Sequence, residues 1–495
     1  MRTTYHIIAV ILATLMAAMI FGTSFLLQTL GEDYIFIAPS SCFYAIAALL
    51  LILIISVTTF YKLPQKLINK NPRKISTLLF LLFVSITILL SIWFPADINY
   101  DYLRLHRFAI DHPNSLSEED QLLYFSRYPY QINVATIFAY IYKIFHSWRA
   151  VILVGAMSAL GACFITAKVV YNITHSKSQA TFALAISCLL LTTAFYTYAP
   201  YTDNYAILFP ILTLYIYMTR LKQNVKLILL TPIIAIGYLM KQTTLILPLA
   251  ITFIYIAENL TSRHIPIKKG ILSIFIFLTL ISLLPTLAYK SIGFTRDANK
   301  ENRISYFLNL GQDSNTLGRY SDETFKQSLA YNTIHERDSA MLRSAFLRIK
   351  EKGIYGNISF FEKKLMIMGH SSLWRSPYRY GRMNPADFCF CNKLDILNNP
   401  IREFFISEGK YHTLYMSLVQ VLWDMILLLV LFGTPFISNR NTAAVALTVI
   451  GSIFYLLLFE CSPRYLYLFI PFYVIMATIS LTYLKRNYRR SIEVQ

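Results

Sequence analysis

Charge is scarce in this sequence. Only 14% of its 495 residues are Asp, Glu, Lys or Arg, whereas soluble domains run near a quarter. With a mean hydropathy of +0.50, that scarcity excludes an ordinary water-soluble globular chain. Cysteine is also sparse, six in all. Cys42, Cys163 and Cys188 fall in apolar segments and read as core thiols. Cys389 and Cys391 share one polar loop, from which a single disulfide to Cys461 is open. There is no CxxC pair and no His-rich pattern, and His335 and His370 lack partners at ligand spacing, so no zinc site is expected. Acidic residues are outnumbered, 26 against 45 basic ones, for a net charge of +19. The basic clusters lie between apolar runs, as cytoplasmic loops should, so they imply no nucleic-acid partner. No internal repeat is visible, which weighs against a repeat-built transporter.

What the chain has is apolar runs of about 20 residues, repeated along its length. These predict an all-α polytopic membrane protein. Met1-Arg2 and the run from Ile7 to Leu30 read as a retained first helix, not a cleaved signal. Further spans are expected at about 35–59, 75–94, 149–171, 179–199, 204–220, 226–240, 243–257, 270–290, 411–433, 442–459 and 465–484. That makes about 12 crossings with both termini cytoplasmic. The stretch 132–146 is apolar but short for a span. If it crossed, the basic clusters at 220–226, 263–269 and 485–490 would all fall outside, so it is expected to be re-entrant or to lie at the outer surface. Four regions follow: an N-terminal helical hairpin (1–60), a transmembrane core (61–290) containing a long first outer loop (95–131), a large outer loop (291–409), and C-terminal transmembrane helices (410–495). The first half of the large loop, Asp322 to Lys352, has a polar helical pattern. Its second half, around Trp374–Arg382, is aromatic and broken by Pro and Gly.

Chemistry-bearing residues collect at the outer segment ends. Asp97 and Asp101, four apart, open the first outer loop. If that stretch is helical they share one face, as a catalytic base plus a second ligand would, or as an interfacial helix whose acids pair with Arg104 or Arg107. The loop closes on Tyr124-Phe125-Ser126-Arg127-Tyr128-Pro129-Tyr130-Gln131. Arg127 there could grip phosphate, and the tyrosines could equally form an aromatic belt. Lys241 sits in a two-residue turn, as a phosphate-binding point charge or as a snorkelling lysine. Glu460 and Arg464, with Tyr465, flank Ser462-Pro463 near the last span, as lipid or sugar ligands or as a plain ion pair. Asp203 lies in the turn Tyr198–Asp203 and is expected to be a solvated loop end, with contact to an acceptor the other option.

Taken in order, these motifs resemble the GT-C superfamily of membrane glycosyltransferases, nearest to bacterial relatives of protein O-mannosyltransferases and of the lipid A aminoarabinose transferase. The stretch Asp97–Gln131 carries most of the likeness. The resemblance implies inverting transfer of a sugar from a polyprenyl-phosphate donor to an extracytoplasmic glycan, teichoic acid, lipid or protein. Asp101 or Asp97 would be the base, Asp101 preferred, and this chain spaces them Asp-x-x-x-Asp where the mannosyltransferases have an adjacent acidic pair. Arg127, Lys241 and Arg464 would contact the donor phosphate, and Arg104, Tyr128, Gln131, Asp203, Glu460 and Tyr465 other parts of the substrates. The resemblance fixes no cofactor, and a divalent metal is left open. The hairpin at 7–59 precedes the superfamily's usual first helix and is an added element. The rival readings are a cell-surface polysaccharide polymerase or ligase, and a flippase or transporter. The latter needs charges near the bilayer midplane, whereas most charges here sit at segment ends, Asp424 and Lys143 excepted.

Overall fold

The computed structural model describes residues 2–21, 71–93, 100–111, 119–259, 267–370, 374, 402–405 and 409–493. Every regular element among them is a helix. In chain order these are α1 (Arg2–Phe21), α2 (Pro72–Trp93), α3 (Tyr100–Asp111), α4 (Glu119–Arg127), α5 (Gln131–Phe145), α6 (Trp148–Thr174) and α7 (Lys177–Thr193). Next come α8 (Thr202–Ala206), α9 (Leu208–Met218), α10 (Gln223–Met240), α11 (Ile246–Asn259) and α12 (Ile267–Ser291). The chain continues with α13 (Ile304–Gly311), α14 (Asp322–Leu329), α15 (Ile334–Gly369), α16 (Arg402–Phe405), α17 (His412–Gly433), α18 (Arg440–Leu458) and α19 (Ile470–Glu493).

Eight of the described helices are long and apolar enough to cross a bilayer: Thr3–Phe21, Pro72–Ile92, Trp148–Thr174, Gln223–Met240, Gly270–Ser291, His412–Phe436, Arg440–Leu458 and Pro463–Tyr483. Three further stretches expected to span are apolar but shorter as helices. The 179–199 stretch ends as α7 at Thr193, 204–220 divides into α8 and α9, and 243–257 joins a 3-10 turn to α11. The span expected at 35–59 lies outside the described residues.

Helix is the structure that satisfies backbone groups without water, and the polar side chains of the spans follow the same rule. Thr166, Ser187, Thr192, Thr448 and Thr478 each donate to the carbonyl one turn back, at 2.5–2.7 Å. The segment Pro463–Tyr483 is buried from Leu466 to Thr482 and forms the central strut, packed on α6, α7, α17 and α18. Helices α6 and α8 approach closely because Gly155 has no side chain: a Cβ there would stand 2.2 Å from the Asn204 amide. The first helix does not stand apart, since α1 packs on α15, α17 and α18.

Helix α5 has 15 residues, short for a span. It starts at the candidate site, where Asn133 Nδ2 donates to the Leu239 carbonyl at 3.2 Å. The next helix, α6, starts beside α3 and α8: the Trp148 ring lies 4.3 Å from His106 of α3, and Tyr205 Oη donates to the Val151 carbonyl at 2.7 Å.

In the large loop, Ser321 and Thr333 cap α14 and α15, and Thr333 with Glu336 forms a capping box. The helical pattern read over Asp322–Lys352 is therefore present. Arg337 is fully buried and donates to the carbonyls of Glu301, Ser328 and Tyr331 at 2.9–3.0 Å. Of the stretch 374–382, only Trp374 is described, with its indole N–H on the Leu190 carbonyl at 2.9 Å.

Candidate functional site

Five segments separated by long stretches of sequence meet around one cavity of about 90 Å³. They are the start of α5, the Tyr201-Thr202 turn, the turn at 240–243, Phe307 of α13, and the stretch from Tyr455 to Tyr465. Three of these carry charged or amide groups singled out in the sequence: Gln131, Lys241, and Glu460 with Arg464.

Lys241 caps the C-terminus of α10 and pairs directly with Asp203, whose side chain is 1% exposed. The expectation that Asp203 is a solvated loop end is therefore wrong. The residue opens α8, and the packing of that short helix against α6 and α10 buries it. Lys241 does not snorkel either; its Nζ also lies 4.7 Å from the centroid of Tyr465. Burial pushes the Lys241 pKa down, and the Asp203 carboxylate pulls it back.

Arg464 and Glu460 do not form the simple ion pair that their spacing suggests. The Arg464 guanidinium stacks 5.1 Å from the Tyr201 centroid and 5.2 Å from that of Tyr465. Its Nε is buried and has no acceptor. Glu460 accepts from Tyr465 Oη at 3.1 Å. Burial raises the Glu460 pKa, against the opposing pull of Arg464.

Asp101 stands behind this wall. Gln131 Nε2 donates to Tyr201 Oη at 2.8 Å, and Tyr201 donates to Asp101 Oδ2 at 3.2 Å. Burial, reinforced by Asp101, lifts the Tyr201 pKa well above its ordinary value, so the phenol keeps its proton and donates. Arg104 lies 3.9 Å from Asp101 Oδ1 and 4.8 Å from the centroid of Tyr124. Asp101 thus sits in the first turn of α3 within reach of solvent, one hydrogen bond beyond the cavity lining. Asp97 lies outside the described residues.

Arg127 and Tyr128 are not brought into the lining. Arg127 ends α4, is 5% exposed, and keeps Nε and Nη1 without hydrogen-bond partners. Burial, reinforced by nearby Arg337, lowers its pKa to about 10. Its backbone carbonyl receives the Asn302 N–H at 3.0 Å, which ties the first loop to the large loop. Tyr128 Oη meets Tyr306 Oη at 3.4 Å. His106 is no acid–base candidate, because burial holds its pKa near about 3.

Sequence reasoning missed Tyr130, Phe307 and Tyr455 as lining residues and Tyr201 as the link to Asp101. It also missed Lys364. This fully buried lysine donates to the carbonyls of Gly311, Leu457 and Phe459 at 2.8–2.9 Å, next to Glu460. Cys461 holds the same junction through its N–H on the Gly318 carbonyl at 2.6 Å, and its thiol is free. Among the described residues no group of three His, Cys, Asp or Glu side chains could hold a metal ion.

The cavity combines two cations, one of them with a spare N–H, one carboxylate and several aromatic faces. Such a set can hold an anionic group beside a ring-shaped polar one. No curated protein and no solved structure matches the chain. A bundle of apolar helices with its polar groups gathered at the helix ends is what an integral membrane protein requires, and the match over residues 2–485 places the chain in the family described as "Conserved hypothetical integral membrane protein".

Proposed function

We propose that this protein is a cell-membrane glycosyltransferase that moves a sugar from a polyprenyl-phosphate donor to an extracytoplasmic acceptor. The observation that carries the reading is the meeting of Lys241 and Arg464 at the Tyr465 ring in the lining of one small cavity, with Asp101 held one tyrosine away. The donor phosphate would lie between Lys241 and Arg464, which offset the charge that grows on the leaving oxygen as the sugar–phosphate bond breaks. The acceptor hydroxyl would attack the anomeric carbon from the opposite face and pass its proton to Asp101. Tyr201 and Arg104 hold that carboxylate in place. Phe307, Tyr455 and Tyr465 offer aromatic faces to sugar and lipid. The same cavity gathers segments that charge patterning assigns to one side of the membrane, which supports an extracytoplasmic site and cytoplasmic termini.

The test is transfer of radiolabelled sugar from polyprenyl-phosphate sugars by purified wild type and by Asp101→Asn. Turnover that vanishes in the variant, with thermal stability unchanged, supports the reading. Full turnover in the variant removes Asp101 as base. Absence of turnover with every donor, with labelled lipid or glycan still bound, favours a polymerase or a flippase.

A further inference from the structure

Helix α15 is bent at Gly353, whose backbone leaves the helical region at φ 60°, ψ −172°. Only glycine adopts that conformation freely. The bend is built, not frayed. Asn357 Nδ2 donates to the Ile349 carbonyl at 2.7 Å and to the Gly353 carbonyl at 2.6 Å, satisfying groups that the break would leave open. What the bend presents is apolar: Ile354 is 78% exposed, Tyr355 88% and Ile358 60%. Three large exposed side chains that no described residue covers, at a turn stabilised from behind, mark an interaction surface.

The position of the bend identifies its partner. Just before it, Lys352 donates to the Gln312 carbonyl at 2.8 Å, and Gln312 Nε2 donates to the Leu458 carbonyl at 2.9 Å. Leu458 is the last residue of a membrane span, and its side chain and that of Phe454 face outward from it. Past the bend, α15 packs on the spans α1 and α18, and Lys364 reaches the Leu457 carbonyl. The exposed apolar tip therefore follows directly on a residue joined, through Gln312, to the end of a span. Tyrosine favours that level, and the exposed Lys350 and Lys363 on either side can keep their charges among headgroups.

We propose that the Gly353 bend is a membrane-seated tip, with Ile354, Tyr355 and Ile358 in the interfacial layer of the bilayer, mooring the 291–369 segment to the lipid surface. The partner is lipid, and the inference is independent of the glycosyl-transfer reading.

The test uses the full chain in phosphatidylcholine nanodiscs with a nitroxide on Tyr355→Cys or Ile358→Cys. The exposed position Lys326→Cys serves as control, and parent protein treated with the label gives the background. Both tip sites are open, so the substitutions spare the fold, and a monodisperse elution profile checks this. At the tip, collisions with oxygen should be favoured over those with a water-soluble nickel complex several-fold more than at position 326. Equal nickel access at tip and control would place the tip in water and overturn the proposal. Shielding from both reagents would mean that protein covers it, from a second copy or another part of this chain, and would also overturn it.

Discussion

Tyr201 donates to the Asp101 carboxylate at 3.2 Å while accepting from Gln131 at 2.8 Å, so a residue of the Tyr198–Asp203 turn fixes an acid of the 95–131 stretch. A hydrogen bond to a charged acceptor contributes about 1.5–3 kcal/mol. If Asp101 is the base, Tyr201→Phe should lower kcat about 10- to 100-fold. The ring still fills its place against Tyr102, whose centroid is 4.9 Å away, so the melting temperature should change little. Steady-state transfer kinetics check this, and unchanged kcat would show that Asp101 needs no positioning from Tyr201.

Lys241 and Asp203 form a buried pair, with side chains 10% and 1% exposed. Removing one partner of such a pair costs about 3–5 kcal/mol, because the other charge is stranded. Lys241→Met should therefore destabilise the protein strongly, and Lys241→Met with Asp203→Asn should recover most of the loss. Thermal unfolding in detergent measures both. A double variant no more stable than Lys241→Met would mean that the pair is not what holds the 201–206 and 240–243 turns together.

Much of this arrangement was legible in the sequence. Hydropathy located the eight helices long enough to cross a bilayer, because apolar runs of that length have few alternatives. Charge patterning put Gln131, Lys241 and Glu460 at one end of the bundle before any contact was known. Burial was not legible where it depends on tertiary packing. Asp203 read as a solvated turn because its neighbours in sequence are polar and aromatic, while the helices that cover it, α6 and α10, are distant in the chain. Arg127 read as a phosphate ligand, yet the large loop packs over it through Asn302. Phe307 and Tyr455 carried no signal, since aromatics are common throughout the chain.

Glu460 separates function from stability through pH. Its pKa is raised above the ordinary 4.5, burial being the main cause. The folded state then keeps a proton that the unfolded chain has lost, so stability falls as pH rises from about 4.5 through the folded-state value, and is level above it. Glu460→Gln keeps an acceptor for Tyr465 and removes this penalty. Its melting temperature should match wild type near pH 4 and equal or exceed it at neutral pH, while transfer activity falls. A variant less stable than wild type at neutral pH would mean that the ionised carboxylate is held by Arg464 and Lys241 more firmly than its burial opposes it.

Lys364 links the large loop to the cavity without touching it. Its ammonium gathers three carbonyls, two of them at the C-terminal end of α18 immediately before Glu460. Space there is tight: a Cβ on Gly318 would stand 2.8 Å from the ammonium, and one on Gly311 2.4 Å from the Leu458 carbonyl. Lys364→Met fills a similar volume but leaves the carbonyls without their donor, at a cost on the order of 3 kcal/mol. The loss should be local. Amide exchange should quicken at 311–318 and 457–461, while the span interiors, whose backbone bonds are internal to each helix, stay protected. Because Glu460 and Arg464 follow directly on the loosened stretch, substrate binding should weaken along with the exchange protection. If exchange at both segments stays at the wild-type rate, the lysine is not what fixes the large loop to the C-terminal end of α18, and the junction rests instead on the Cys461 amide and the Gln312 side chain.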